Sequence, residues 1–148
     1  MKRTFCLIMA IVIALAMCGC TKRKIKANDI EGVKALLEEK GFYDEKNMMQ
    51  FTYEGSQAFG GVMTNSWSLF FYDFDGDEDS AEKIADVMTS EIEMTAERSG
   101  KNYKVEECNG TPNYGIYVRV EDTFIMIVGK NEEQDDIKQL AGELGYYA

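Results

Sequence analysis

The chain has 148 residues, 26 acidic and 16 basic side chains, a formal charge of −10 and no histidine. The missing histidine excludes Ser-His-Asp and Cys-His catalysis and histidine-based zinc sites. A surface this acidic repels phosphate backbones, so nucleic acid is not expected as a partner, and no glycine-rich phosphate loop or dinucleotide fingerprint is present.

Lys2 and Arg3 precede an apolar run, TFCLIMAIVIALAM, over residues 4–17. As a helix this run covers about 20 Å of a hydrocarbon core about 30 Å thick, short for a permanent span and right for the apolar core of a signal peptide. It ends in Met17-Cys18-Gly19-Cys20. This junction resembles the lipobox of bacterial lipoproteins, whose usual form is Leu-Ala/Ser-Gly/Ala-Cys. Met17 stands for the leucine and Cys18 takes the small-residue position. The resemblance covers these four residues alone. It implies cleavage between Gly19 and Cys20, with diacylglycerol attached to the Cys20 sulfur and its two acyl chains of the palmitate type. At about 0.8 kcal/mol per buried methylene, such an anchor is stable.

Lys22, Arg23, Lys24 and Lys26 follow as a basic tether, which suits anionic headgroups at about 1 kcal/mol per residue. All 26 acids lie beyond this tether. The expected organisation is a lipoprotein signal peptide (1–19), a lipidated cysteine with its tether (20–27) and one α+β domain (28–148). The expected location is the outer face of the bacterial cytoplasmic membrane. Thr21 offers no aspartate retention signal of the kind used by some two-membrane bacteria, so a Gram-positive-type envelope is preferred. With Cys6 and Cys18 removed and Cys20 lipidated, Cys108 remains as a small side chain near a strand end, and no intramolecular disulfide forms.

Three helices share the same punctuation. Asn28 with Glu31, Asp79 with Glu82, and Asn131 with Gln134 have capping-box spacing or a close relative of it. Glycines 41, 100 and 145 mark the helix ends. The apolar stripes are Ile30, Val33, Leu36 and Leu37, then Ile84, Val87, Met88 and Ile92, then Ile137, Leu140, Ala141 and Leu144. Between helices, strands are expected near residues 48–53 and 59–64, with FGGV (59–62) as a bulge or turn. WSLFFYDF (67–74), apolar on both faces, reads as central in a sheet. NYKVEEC (102–108), the loop NGTPN, NYGIYVRV and TFIMIVG follow, the last two joined at Glu121-Asp122 as a two-residue hairpin. The fold class is α+β, in the order helix, two to three strands, helix, three strands, helix. An antiparallel sheet of five to six strands carries the helices mainly on one face. Helix starts recurring about every fifty residues suggest a weak internal duplication.

The candidate site residues lie in FYDFDGDEDSAEK (71–83). An EF-hand loop needs glycine at its sixth position and a bidentate glutamate at its twelfth. A frame from Asp73 puts Glu78 and Ile84 there, and a frame from Asp75 puts Ser80 and Asp86. Both fail, so the stretch reads as a polar entry from strand to helix, its acids favoured by the helix dipole. Asp73, Asp75 and Asp77 are the ligands of a non-EF-hand cation site if one exists. Tyr114, Tyr117, Tyr146 and Tyr147 are expected at the core or rim rather than on a binding platform, and the scattered methionines as core filler. Glu106 and Glu107, adjacent on a strand, point to opposite faces and form no catalytic pair. The functional expectation is a membrane-anchored, non-enzymatic lipoprotein without cofactor that binds or scaffolds an envelope component. The alternatives are a cation- or small-ligand receptor using residues 73–79, and an envelope hydrolase relying on Asp and Glu alone.

Overall fold

The computed structural model describes residues 24–43, 46, 48–62 and 67–147; the signal-peptide and lipobox residues, with Lys22 and Arg23, lie outside them. Helix α1 (Ile30–Glu39) starts at Asp29, whose carboxylate accepts a hydrogen bond from the Gly32 N–H at 2.7 Å. The cap is therefore one residue later than the Asn28 spacing suggests. Asn28 instead donates its side-chain amide to the Leu144 carbonyl, tying the two outer helices together. Gly41, at φ +71°, closes α1 as expected. The next residue, Phe42, returns its N–H to the Leu37 carbonyl and turns its ring inward.

Strands β1 (Met48–Tyr53) and β2 (Ser56–Val62) form a hairpin through Glu54-Gly55, both with positive φ, as a two-residue primed turn requires. FGGV makes no bulge, because the β2 register with β3 (Trp67–Asp73) is continuous. Gly60 is needed for another reason: a Cβ there would sit 2.2 Å from the Phe70 ring, which lies across it. β3 is central as read. Trp67, Leu69 and Phe71 enter one core cluster, Phe70 and Tyr72 the other.

Helix α2 (Glu78–Thr89) is capped by Asp77, not Asp79. It ends at Thr89 rather than at Gly100, because residues 96–99 leave to pair as β4 (Ala96–Ser99) with β5 (Tyr103–Asn109). Its buried face is Ala81, Ile84 and Ala85, with Met88 partly covered, whereas Val87 points outward at 57% exposure. The alanines bring the helix close to the sheet, which rotates the stripe away from Val87. Strands β6 (Asn113–Val120) and β7 (Thr123–Lys130) turn at Glu121-Asp122 as expected. A 3-10 turn at Asn131–Glu133 leads into helix α3 (Gln134–Glu143), which has no side-chain cap at its start. Gly145, at φ +86°, closes α3, with Tyr146 donating its N–H to the Ala141 carbonyl.

Among the described residues the sheet has seven antiparallel strands in the order β1-β2-β3-β7-β6-β5-β4, more than the five or six expected, since the short edge strand β4 is spaced like a helix end. The helices do not share a face. α1 and α3 cover one side through Val33, Leu37, Ile137, Leu140, Ala141 and Leu144. α2 covers the other against Tyr72, Tyr117 and Phe124. Each fully buried aliphatic side chain of this kind contributes about 1.5–3 kcal/mol. With the edge strand β4 set aside, β1-β2-β3 and β5-β6-β7 are placed symmetrically about the β3–β7 junction. A two-fold axis through that antiparallel pair, normal to the sheet, would keep both following helices on one side, yet α2 and α3 lie on opposite sides. The symmetry of the strands does not extend to a repeated unit.

One end of the sheet gathers Asp73, the Glu121-Asp122 turn and Asn102; the other holds Trp67, paired with Gly129. The ends are about 20 Å apart along β3. The chain enters at the first of them. Asn102 accepts from the Ile25 N–H at 3.1 Å and donates to its carbonyl at 2.7 Å, and the Ile25 side chain is buried in the core.

Candidate functional site

At the far end, α1, β3 and α3 leave a groove of about 480 Å³ lined by Lys40, Phe42, Trp67, Glu133, Asp136, Gln139, Leu140 and Glu143. Its apolar side follows from local folding. The helix-closing glycine at position 41 throws Phe42 back over Trp67, and the rings meet edge to face at 5.4 Å. Trp67 is only 6% exposed and is the sole tryptophan of the chain. The polar side comes from α3 and the turn before it. Asp136 and Gln139 stand three apart on one helical face, with Glu143 one turn on.

Three carboxylates face one ammonium in this groove. Lys40 pairs with Glu143, and Gln139 donates to the same carboxylate at 3.0 Å. The Gln139 hydrogen bond, followed by that of Lys40, holds the Glu143 carboxyl below its ordinary range. Among the described residues, neither Glu133 nor Asp136 has a salt-bridge partner. The Glu133 Oε2 atom is buried without any hydrogen-bond donor, as is Asn131 Oδ1 just before it. The start of α3 faces this side, but the acids of its own first turn already meet its dipole.

A second cluster is built around Glu107, buried at 8% exposure on β5. Its Oε2 accepts from the Tyr114 hydroxyl at 2.8 Å and the Lys138 ammonium at 3.1 Å. Its Oε1 accepts from the Tyr147 hydroxyl at 2.9 Å and Arg98 at 3.3 Å. Burial pushes the Glu107 carboxyl up, but the hydrogen bonds from Tyr114, Tyr147 and Lys138 outweigh it and hold the group below its ordinary value. Burial and the neighbouring carboxylate push the Tyr114 hydroxyl well above its ordinary range. Every lone-pair direction of this carboxylate is occupied, which suits a structural pin. Glu106 points to the other face, where Lys104 pairs with it at 2.9 Å.

The acidic stretch is tied to backbone. Asp73 accepts from the Ile30 N–H and the Asp75 N–H, both at 3.1 Å. Asp77 accepts from the Ser80 N–H at 3.0 Å and its hydroxyl at 2.7 Å. Asp122 reaches across to the Gly76 N–H at 2.6 Å. Among the described residues, no group of three or more Asp, Glu, Cys or His side chains is gathered as a metal would need. Of the four tyrosines singled out, Tyr114 and Tyr146 are fully buried, Tyr117 lies on the α2 side and Tyr147 joins the Glu107 cluster, so they share no platform. Cys108 is half-buried near the end of β5. Among the described residues no helix is long and apolar enough to cross a membrane.

The groove residues were not singled out from the sequence. An available signal was the pair Gly41-Phe42, an aromatic directly after a helix-closing glycine, which such motifs fold back onto the core.

No protein-family model matches the chain, and no curated protein matches it. Among solved structures it is similar to a GTP-binding regulator from Thermotoga maritima, with a TM-score of 0.53 and 14% identity over 81% of this chain and 90% of that one. At that identity the likeness is one of fold.

Proposed function

We propose that the chain is a lipid-anchored, extracytoplasmic, non-enzymatic binding protein that captures another envelope component in the groove beside Trp67. The anchor rests on the Met17-Cys18-Gly19-Cys20 junction after a short apolar run. The binding role is carried by one observation: an open groove of about 480 Å³ with an aromatic wall and polar groups converging on it. Concave, partly apolar sites with a few placed polar groups are where small ligands and side chains bind. The groove opens at the end of the sheet away from Ile25, where the tether joins, so an anchored domain holds it outward. A nucleoside triphosphate, which the name of the similar fold would suggest, meets carboxylates in this groove and finds no glycine-rich phosphate loop in this sequence.

Two experiments test the reading. Cells given an alkyne fatty acid label the wild-type protein and not Cys20→Ala; equal labelling of both removes the anchor. A photo-crosslinking residue at position 139, in the groove, captures an envelope component in intact cells, while the same residue at exposed position 86 on α2 does not. Identical capture from both positions removes the groove as the binding site.

A further inference from the structure

We infer that the groove beside Trp67 selects an organic cation: a primary ammonium or similar group on a short apolar body. The inference deepens the binding role proposed above and rests on it. Its carrier is the mismatch of charge within a formed cavity. Phe42, Trp67 and Leu140 offer an apolar wall, and opposite it three carboxylates face a single ammonium. Lys40 is already spent on Glu143. Glu133 and Asp136 are left without a cation, and one Glu133 oxygen is buried with no donor. Two carboxylates that line the groove without a counter-charge gain from an arriving ammonium, which can pair with them through charge-assisted hydrogen bonds. The apolar wall suits the short apolar body of the same ligand. An anion meets the reverse: two unneutralised carboxylates within a strongly acidic domain that focuses its field into the concavity.

The single tryptophan of the chain lines the groove, so intrinsic fluorescence reads this site and no other. The test titrates full-length protein, in non-ionic detergent at constant ionic strength, with three probes of equal length: butylammonium, butanol and butyrate. Butylammonium is expected to shift Trp67 emission saturably, with butanol at least about tenfold weaker and butyrate silent. Replacing Glu133→Gln together with Asp136→Asn is expected to weaken butylammonium by about tenfold or more. Lys40→Met, which removes the competing ammonium, is expected to tighten it severalfold, a gain that a misfolded variant cannot imitate.

Equal responses to butylammonium and butanol, or a preference for butyrate, would overturn the cation selection while leaving the groove as a binding site. Silence from all three probes would overturn it as well. The crosslink at position 139 then decides whether the groove reading falls with it: a captured component keeps that reading, and none removes both.

Discussion

Replacing Glu107 by alanine tests the claim that this carboxylate pins the C-terminal tail and α3 to β5. Its two oxygens accept from Tyr114, Tyr147, Lys138 and Arg98. The donors are not equivalent. Tyr114 is fully buried, so its hydroxyl loses its acceptor with no water to replace it, at about 1–3 kcal/mol. Lys138 and Arg98 are 28% and 42% exposed, and each resolvates at a loss of about 1 kcal/mol or less. Tyr147 is half-buried and falls between. The total expected for Glu107→Ala is therefore about 2–4 kcal/mol, consistent with removing one partner from a buried charge pair. Urea unfolding followed by circular dichroism measures it as a fall in midpoint at unchanged slope. A companion variant, Arg98→Ala, should cost less than about 1 kcal/mol. If Glu107→Ala changes stability by under about 0.5 kcal/mol, the range of ordinary surface substitutions, the pin is refuted.

The same carboxyl sets a pH dependence: it is held below its ordinary 4.5, so its stabilisation is full above that value and drains as pH falls beneath it, a slope that should flatten in Glu107→Gln. At the alkaline side, burial pushes the hydroxyls of Tyr114 and Tyr146 above their ordinary 10.0, so their contribution holds below pH 10 and is lost above it. Tyrosinate absorbance should show these two titrating last, together with unfolding. For the α2 cap, Asp77→Ala should cost about 1 kcal/mol and Asp79→Ala about 0.3–1 kcal/mol at low salt, since only Asp77 holds the Ser80 N–H; equal losses measured by thermal unfolding would displace the cap assignment. Gly60→Ala should destabilise by about 1–3 kcal/mol, because its methyl meets the Phe70 ring, and Phe70→Leu should recover part of the loss. Calcium should raise the unfolding temperature no more than magnesium at equal concentration, given that the oxygens of Asp73 and Asp77 already accept from backbone N–H groups and the Ser80 hydroxyl; a calcium-specific shift lost in Asp75→Asn would revive the cation reading.

Elements whose signal is local were legible. Gly41 and Gly145 end helices as their spacing implies, and the stripe of α3 is buried at every position named. The Glu121-Asp122 turn and the centrality of β3 also follow from short-range pattern. What escaped depends on neighbours distant in sequence. Residues 90–100 look like the tail of a helix, but the free edge of β5 captures residues 96–99 as a strand. The face chosen by α2 is set by how it crosses from β3, which no periodicity encodes. Gly60 looked like a defect in a strand because its reason, the Phe70 ring, lies on the next strand. The groove was illegible for the same cause: Lys40, Trp67 and Glu143 come together only when α1 and α3 pack side by side on the sheet.

The two ends of the sheet divide the charge in a way that bears on the tether. Asp73, Asp75, Asp77, Glu121 and Asp122 crowd the end where Ile25 is clasped, and Lys24 and Lys26 flank that clasp, both exposed. On the anchored reading, Cys20 precedes Ile25 by five residues, a reach of at most about 17 Å. That span would bring the acidic loops within about two Debye lengths of anionic headgroups at physiological salt. Salt screens most of the repulsion at that range, so on this reading the charges of the tether would act at closer quarters than those of the loops. The tether's four bases would then serve two neighbours at once, the headgroups on one side and the acidic loops on the other. Neutralising Lys22, Arg23, Lys24 and Lys26 together would remove both attractions, letting the domain stand further from the bilayer while its lipid anchor stays in place.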